Sequence, residues 1–235
     1  LGGGRITKAG EITLAHHGIL FLDEFMEFKT ECIEALRQPL EDGTIELTRN
    51  GVFYQFPADF QLIATSNPCL CGYALEDGAC RCTYYEKKRY LKKLSGPILD
   101  RFDMVLCLTN KDLLKQNPKA NSKEIRETSS QIKERIKETI QREKNLLKNS
   151  KCSATSHLSH IQLKKIIYLS KECKEILDIA YQSGKITRRG MDKILKVALT
   201  IMLMENETEI KPIHLMEAMT FRKTDFIKEV LEYGR

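Results

Sequence analysis

The sequence predicts an α/β block followed by an all-helical block. Two patterns carry this. In the first half, short apolar runs bounded by polar or turn residues alternate with a helical stretch, as expected where strands and helices share a sheet. After Thr109 apolar residues recur only at helical spacing, beyond a linker at Lys111–Ser122 that holds Pro118 and several Asn and Lys residues.

Taken in order, Gly18-Ile-Leu-Phe-Leu22 and Phe60-Gln-Leu-Ile-Ala64 read as buried parallel strands, and Met104-Val-Leu-Cys-Leu108 as a third. Between the first two, Thr30 to Leu40 reads as a helix with Cys32, Ile33, Leu36 and Leu40 on one face. A hairpin follows: Ile45, Leu47, Val52 and Tyr54 alternate about Arg49-Asn50-Gly51, and Asn-Gly is a strong turn signal. A long charged helix is expected from Lys123 to Asn149, with Ile125, Ile132, Ile136 and Ile140 in one stripe. Further helices are expected over 161–182, 187–204, 212–221 and 224–232.

Composition narrows the class. With 42% hydrophobic and 30% charged residues in 235, the chain is an ordinary globular one. No run approaches the roughly 18 apolar residues of a membrane span. Leu1 is not an initiator Met and no signal-peptide pattern opens the chain, so a cytoplasmic piece of a longer protein is expected. The net charge of +6 suits nucleic acid, although lysines scattered on helices also form solvated faces. Of eight cysteines, Cys32, Cys107, Cys152 and Cys173 are scattered and expected to act as small buried hydrophobes.

Asp23 and Glu24 stand just past the first apolar strand, where ligands bind in open α/β sheets. Two adjacent acids can divide nucleotide hydrolysis, one holding Mg²⁺ and the other polarising the attacking water. Asn67 stands past the second strand, and an amide there can orient water or touch a γ-phosphate without adding negative charge. A solvated acidic turn and an Asn-Pro turn are the bland alternatives. No G-x-x-x-x-G-K-[ST] phosphate loop occurs: Gly2-Gly3-Gly4 runs into Arg5, and Gly184-Lys185-Ile186-Thr187 lacks the earlier Gly.

Cys69-Leu-Cys71 and Cys80-Arg-Cys82 form a C-x-C…C-x-C quartet. Residues two apart on an extended segment point the same way, so each pair can grip one side of a tetrahedral Zn²⁺. Free thiols and, last, disulfides are the alternatives.

Several stretches resemble the magnesium-chelatase-like, competence-protein ComM family of AAA+ ATPases. They are Ala9–Glu24, Leu36-Arg-Gln-Pro-Leu-Glu41, Leu94–Asp103, Arg188–Ala198 and His214–Arg222. The resemblance implies a partial AAA+ core over 1–115 and a helical lid over 116–235, downstream of a Walker A loop and a Lon-like domain. It makes Asp23 and Glu24 the Walker B pair, with Asp23 toward Mg²⁺, and Asn67 sensor 1. Arg101 becomes an arginine finger offered to a neighbouring subunit's ATP. Arg189 becomes the sensor 2 arginine reaching the nucleotide, with Arg188 as its alternative. It further implies a homo-hexameric motor driving branch migration on branched or single-stranded DNA, with the Arg49-Asn50 hairpin as a pore element. The cysteine quartet would be a structural clip. The ATPase subunit of magnesium chelatase and a non-catalytic DNA-binding or assembly piece are the rival readings.

Overall fold

The computed structural model of the chain describes residues 2–3, 8–76, 78–109, 127–150, 152–184, 186–222 and 230–231. It divides into two units, Leu1–Phe102 with Asp225–Arg235, and Asp103–Thr224. The expected boundary at 115/116 and the linker lie outside the described residues, as does most of the expected helix at 224–232.

The first unit opens with a two-residue ladder, β1 (Gly2–Gly3) against β2 (Lys8–Ala9), and a one-turn helix α1 (Glu11–Leu14). The apolar runs then form β3 (Ile19–Leu22) and β6 (Gln61–Ala64), paired in parallel from Ile19↔Gln61 to Leu22↔Ala64. Their burial departs from expectation. Leu20, Leu22 and Ala64 pack on a core of Phe25, Ile33, Leu36, Ile45 and Ile98, whereas Ile19 and Phe21 remain 60% and 57% exposed. Continuous apolar runs suit strands covered on both faces, and this two-stranded sheet is covered on one.

The helix expected from Thr30 to Leu40 is broken into α2 (Thr30–Ala35) and α3 (Arg37–Asp42). Pro39 is the cause: it has no N–H to give to the Ala35 carbonyl, so the chain turns at Leu36. Ile33 and Leu36 reach the core as expected, but Cys32 is exposed. The hairpin forms as read, with β4 (Thr44–Arg49) and β5 (Val52–Pro57) in register from Thr44↔Pro57 to Arg49↔Val52. Asn50 at φ 49° and Gly51 at φ 76° make the two-residue turn left-handed at both positions, which the twist of the flanking strands favours. Two helices, α4 (Tyr84–Leu91) and α5 (Gly96–Leu99), follow.

The second unit is helical, but its first segment corrects the sequence reading. Met104–Leu108 is no strand. Within it only Val105 is bridged, to Arg222, and Met104, Leu106 and Leu108 are exposed. The helices are α6 (Ser129–Leu147), α7 (His160–Ile166), α8 (Lys171–Gln182), α9 (Arg188–Met204) and α10 (Pro212–Thr220). The helical pattern over 161–182 is two helices because Ser170 starts α8 afresh, its hydroxyl accepting from the Cys173 amide. α9 is the central element, burying Ile194, Ala198, Leu199 and Met202 against Leu163, Cys173, Leu177 and Leu215. On α6 the stripe Ile132, Ile136 and Ile140 stays 37–48% exposed, while Ile125 lies outside the described residues.

His214 is fully buried at the start of α10. Its Nδ1 accepts the Lys211 N–H (3.1 Å) and its Nε2 lies 2.9 Å from a Glu205 carboxylate oxygen. Replacing it removes the acceptor of the Lys211 amide and opens a cavity, with the half-exposed Glu205 left to water. His214→Ala is expected to cost about 2–4 kcal/mol. Urea unfolding followed by circular dichroism measures it; a loss below about 0.5 kcal/mol, the range of bland surface changes, would contradict the assignment.

Candidate functional site

Parallel pairing puts the carboxyl ends of β3 and β6 at one edge. Asp23 follows β3 directly, and Thr65 follows β6 in register with it. The two strands are tied there by Thr65 N–H to Leu22 O (3.0 Å) and Phe25 N–H to Thr65 O (2.8 Å). The Thr65 hydroxyl donates to Asp23 Oδ1, and the Glu24 N–H reaches the same oxygen at 3.1 Å. Asp23 is therefore held by two donors on one oxygen, leaving an exposed carboxylate to meet a cation.

Glu24 adopts φ 50° and ψ 45°, left-handed backbone that costs an ordinary residue on the order of 1 kcal/mol. The strain is fixed by Phe25, which is 2% exposed and edge-on to Phe102 at 5.8 Å. Burying Phe25 thus turns the chain sharply and leaves the Glu24 side chain in solvent at the strand tip. Asn67 stands three residues beyond Ala64 on the neighbouring strand, also exposed. The acid pair and the amide accordingly follow strand ends that lie at the same edge.

Arg101 follows α5, and this segment is lashed to α2 and α3. Ser95 Oγ donates to Glu34 (2.9 Å), whose carboxyl is held below its ordinary range chiefly by the Arg37 hydrogen bond and then by Ser95. Arg101 donates from Nε to the Arg37 carbonyl (3.0 Å), from Nη1 to the Pro97 carbonyl (2.7 Å) and from Nη2 to Glu41. Its side chain is only 13% exposed. The expected finger is thus engaged within its own chain. Arg188 and Arg189 belong to the second unit, both exposed in the first turn of α9 behind the Thr187 cap.

The four sulfurs come together. Cys69 Sγ is 3.4 Å from Cys71 Sγ and 3.8 Å from that of Cys80, Cys71 and Cys80 are 3.7 Å apart, and all four sulfurs including Cys82 lie within 4.8 Å. A tetrahedral ion with Zn–S bonds of about 2.3 Å sets its sulfurs about 3.8 Å apart. Positive φ at Gly72 and Gly78 turns the two arms toward each other. The backbone amides of Tyr73 and then Arg81 pull the Cys71 thiol down to about 6, whereas burial pushes that of Cys69 up to about 12. One near-neutral thiolate beside three closely packed sulfurs fits a divalent thiophilic cation. The knuckle also adjoins the strand edge: a Cβ on Gly72 would lie 3.9 Å from the Asn67 amide.

Thr65, Glu34, Ser95 and Glu41 were not singled out from sequence. Thr65 has a local signal, a hydroxyl directly after an apolar strand and in register with the acid. Glu41 has none, since its partner is 60 residues away.

A parallel strand pair ending in two acids and an amide, followed in sequence by a helical unit, defines a P-loop-like α/β core with a helical C-terminal domain. The family described as magnesium chelatase, subunit ChlI, matches residues 1–116, and its C-terminal counterpart matches residues 126–222. The chain belongs to this family, and ComM and YifB proteins are among its homologues. Competence protein ComM of Haemophilus influenzae is 37% identical over 222 residues, 94% of this chain and 42% of that protein. The uncharacterized protein YifB of Escherichia coli (strain K12) is 36% identical over 227 residues, 96% of this chain and 43% of that protein. More distantly, maternal DNA replication licensing factor mcm6 of Xenopus tropicalis is 23% identical over 231 residues, 95% of this chain and 26% of that protein. The family is AAA+ ATPase-like. The chain spans 42–43% of the length of the two bacterial relatives. Among the described residues no helix is long and apolar enough to cross a membrane.

Proposed function

We propose that these residues supply the hydrolytic half of an ATP-driven, ring-forming motor that acts on branched or single-stranded DNA. The shared edge holding Asp23, Glu24 and Asn67 is the observation that supports it. Asp23 would hold the magnesium ion, which when bound neutralises phosphate charge. Glu24, turned outward by its strained backbone, takes a proton from the attacking water. Asn67 orients that water against the γ-phosphate. Arg101 and Arg189 add positive charge where the transferring phosphoryl group develops negative charge, Arg101 across a subunit boundary of a hexamer. Because the 235 residues hold no G-x-x-x-x-G-K-[ST] loop, the chain by itself is expected not to turn over ATP.

The cysteine quartet would hold a structural Zn²⁺, clipping the loop that carries Asn67. DNA would contact the β4–β5 hairpin, whose tip displays Arg49 beside Val52 and Phe53, 50% and 59% exposed. The deciding experiment uses the full-length protein with synthetic junction DNA. ATP-dependent branch migration is expected, with Arg49→Glu removing DNA stimulation of ATPase and leaving basal hydrolysis unchanged. Junctions left unprocessed by an active ATPase would sink the DNA reading and favour remodelling of a protein partner.

A further inference from the structure

We infer that the outer face of the cysteine knuckle and the adjoining face of α4 form a contact surface for single-stranded nucleic acid. The surface lies outside the hydrolysis site and does not depend on it. α4 divides its side chains sharply. Lys87, Tyr90 and Leu91 turn inward and are buried. On the opposite face Tyr85 is 81% exposed, Tyr84 at the border of the buried face is 39% exposed, and the knuckle itself displays Leu70 and Tyr73 at 53% and 52%. The two helix tyrosines meet edge to face at 5.9 Å, and Lys88 Nζ, one turn on, sits 5.9 Å from the Tyr84 ring centroid.

The knuckle and the helix make one surface. Leu70 of the knuckle and Arg89 of the helix line one shallow pocket together with Glu27, Tyr90 and Lys93. From Arg81 through Lys93 the chain carries six cations and a single carboxylate, with Lys87 buried and Lys93 donating to the Met26 carbonyl. That carboxylate, Glu86, is turned back on the Thr83 amide (2.7 Å) as the cap of α4. Arg81, Lys88, Arg89 and Lys92 are exposed.

Exposed aromatic rings among the cations of α4, whose own carboxylate Glu86 is engaged in the cap while Glu27 is the acid of the adjoining pocket, match two features of an unpaired strand. Its bases offer π-faces for stacking, and its phosphates take the positive charge. A duplex conceals its base faces and could use only the charges.

The test uses the 235-residue chain, reduced and supplied with zinc but no nucleotide, so its outcome is separate from that of the ATPase reading. Fluorescence anisotropy would follow oligothymidylate of about 20 nucleotides, longer than the roughly 4–16 nucleotides that single-strand folds cover. The matching oligouridylate and a duplex serve as comparison arms. Tyr85→Ala is expected to weaken single-strand binding about 5- to 100-fold, with Tyr85→Phe restoring it. Lys88→Glu is expected to reduce the slope of log affinity against log salt by about one. Three results would overturn the inference: no binding by the parent chain, equal affinity for duplex, or binding lost in Arg49→Glu yet kept in Tyr85→Ala. At 81% exposure Tyr85 carries little of the fold, and circular dichroism checks that the variant is folded.

Discussion

Arg101→Ala in the full-length protein is expected to lower ATP turnover by about 10³-fold or more while leaving ATP binding intact, as for a guanidinium that acts only on the transition state. The structure adds a second expected effect. Arg101 donates to the Arg37 and Pro97 carbonyls and to Glu41 from a largely buried position, so its removal also loosens α5 from α3. Hydrogen bonds from a charged group contribute about 1.5–3 kcal/mol, and a loss of that order should appear in unfolding of the 235-residue chain. The two roles separate in Glu41→Gln, which weakens the internal ion pair and keeps the guanidinium. If Arg101 serves a neighbouring subunit's nucleotide, Glu41→Gln keeps at least parental turnover. If Arg101 is only a clamp, Glu41→Gln and Arg101→Ala lose activity in proportion to lost stability.

Zinc removal should have the next largest effect. Purified under reducing conditions, the chain is expected to carry about one zinc, and Cys69→Ser or Cys80→Ser to carry none. Zinc sites in small zinc domains bind with apparent free energies of about 10–16 kcal/mol near neutral pH, so losing the ion should loosen this knuckle markedly. Chelation should expose the Cys69–Cys82 segment to limited proteolysis, and Asn67, two residues before Cys69, should lose its place along with it. In the full-length protein that predicts slower hydrolysis with nucleotide still bound. Metal analysis finding no zinc in freshly reduced protein would remove the clip from the account.

How far the sequence disclosed this arrangement depends on the range of each interaction. The β4–β5 turn was legible because Asn50-Gly51 encodes it within two residues. The parallel strands were legible from apolar runs ending in polar residues, but not their open face, since burial depends on what stacks against a sheet. Pro39 encodes the break between α2 and α3, but the apolar spacing from Thr30 to Leu40 alone describes an unbroken helix. Cys32 consequently appeared on a core-facing stripe that an unbroken helix would have had. Met104–Leu108 had the composition of a strand, yet strand identity requires a partner and only Val105 is bridged. In the candidate site the acid pair, the amide and the sulfur spacing were local signals. Left-handed Glu24, the Thr65 hydroxyl on Asp23 and the Glu41 anchor of Arg101 were invisible, because each arises from chain segments that meet only in the fold.

The strand edge carrying Asp23, Glu24 and Asn67 is tested most directly by a single comparison. ATP binding and single-turnover hydrolysis are measured side by side for the full-length protein and its Glu24→Gln variant, which keeps the shape of the side chain and removes its basicity. Nucleotide affinity within a few-fold of the parent, with hydrolysis slowed about 10²- to 10⁴-fold, is the expected result for a group that takes a proton from water. Hydrolysis at the parental rate by a folded, ATP-bound Glu24→Gln variant would contradict it.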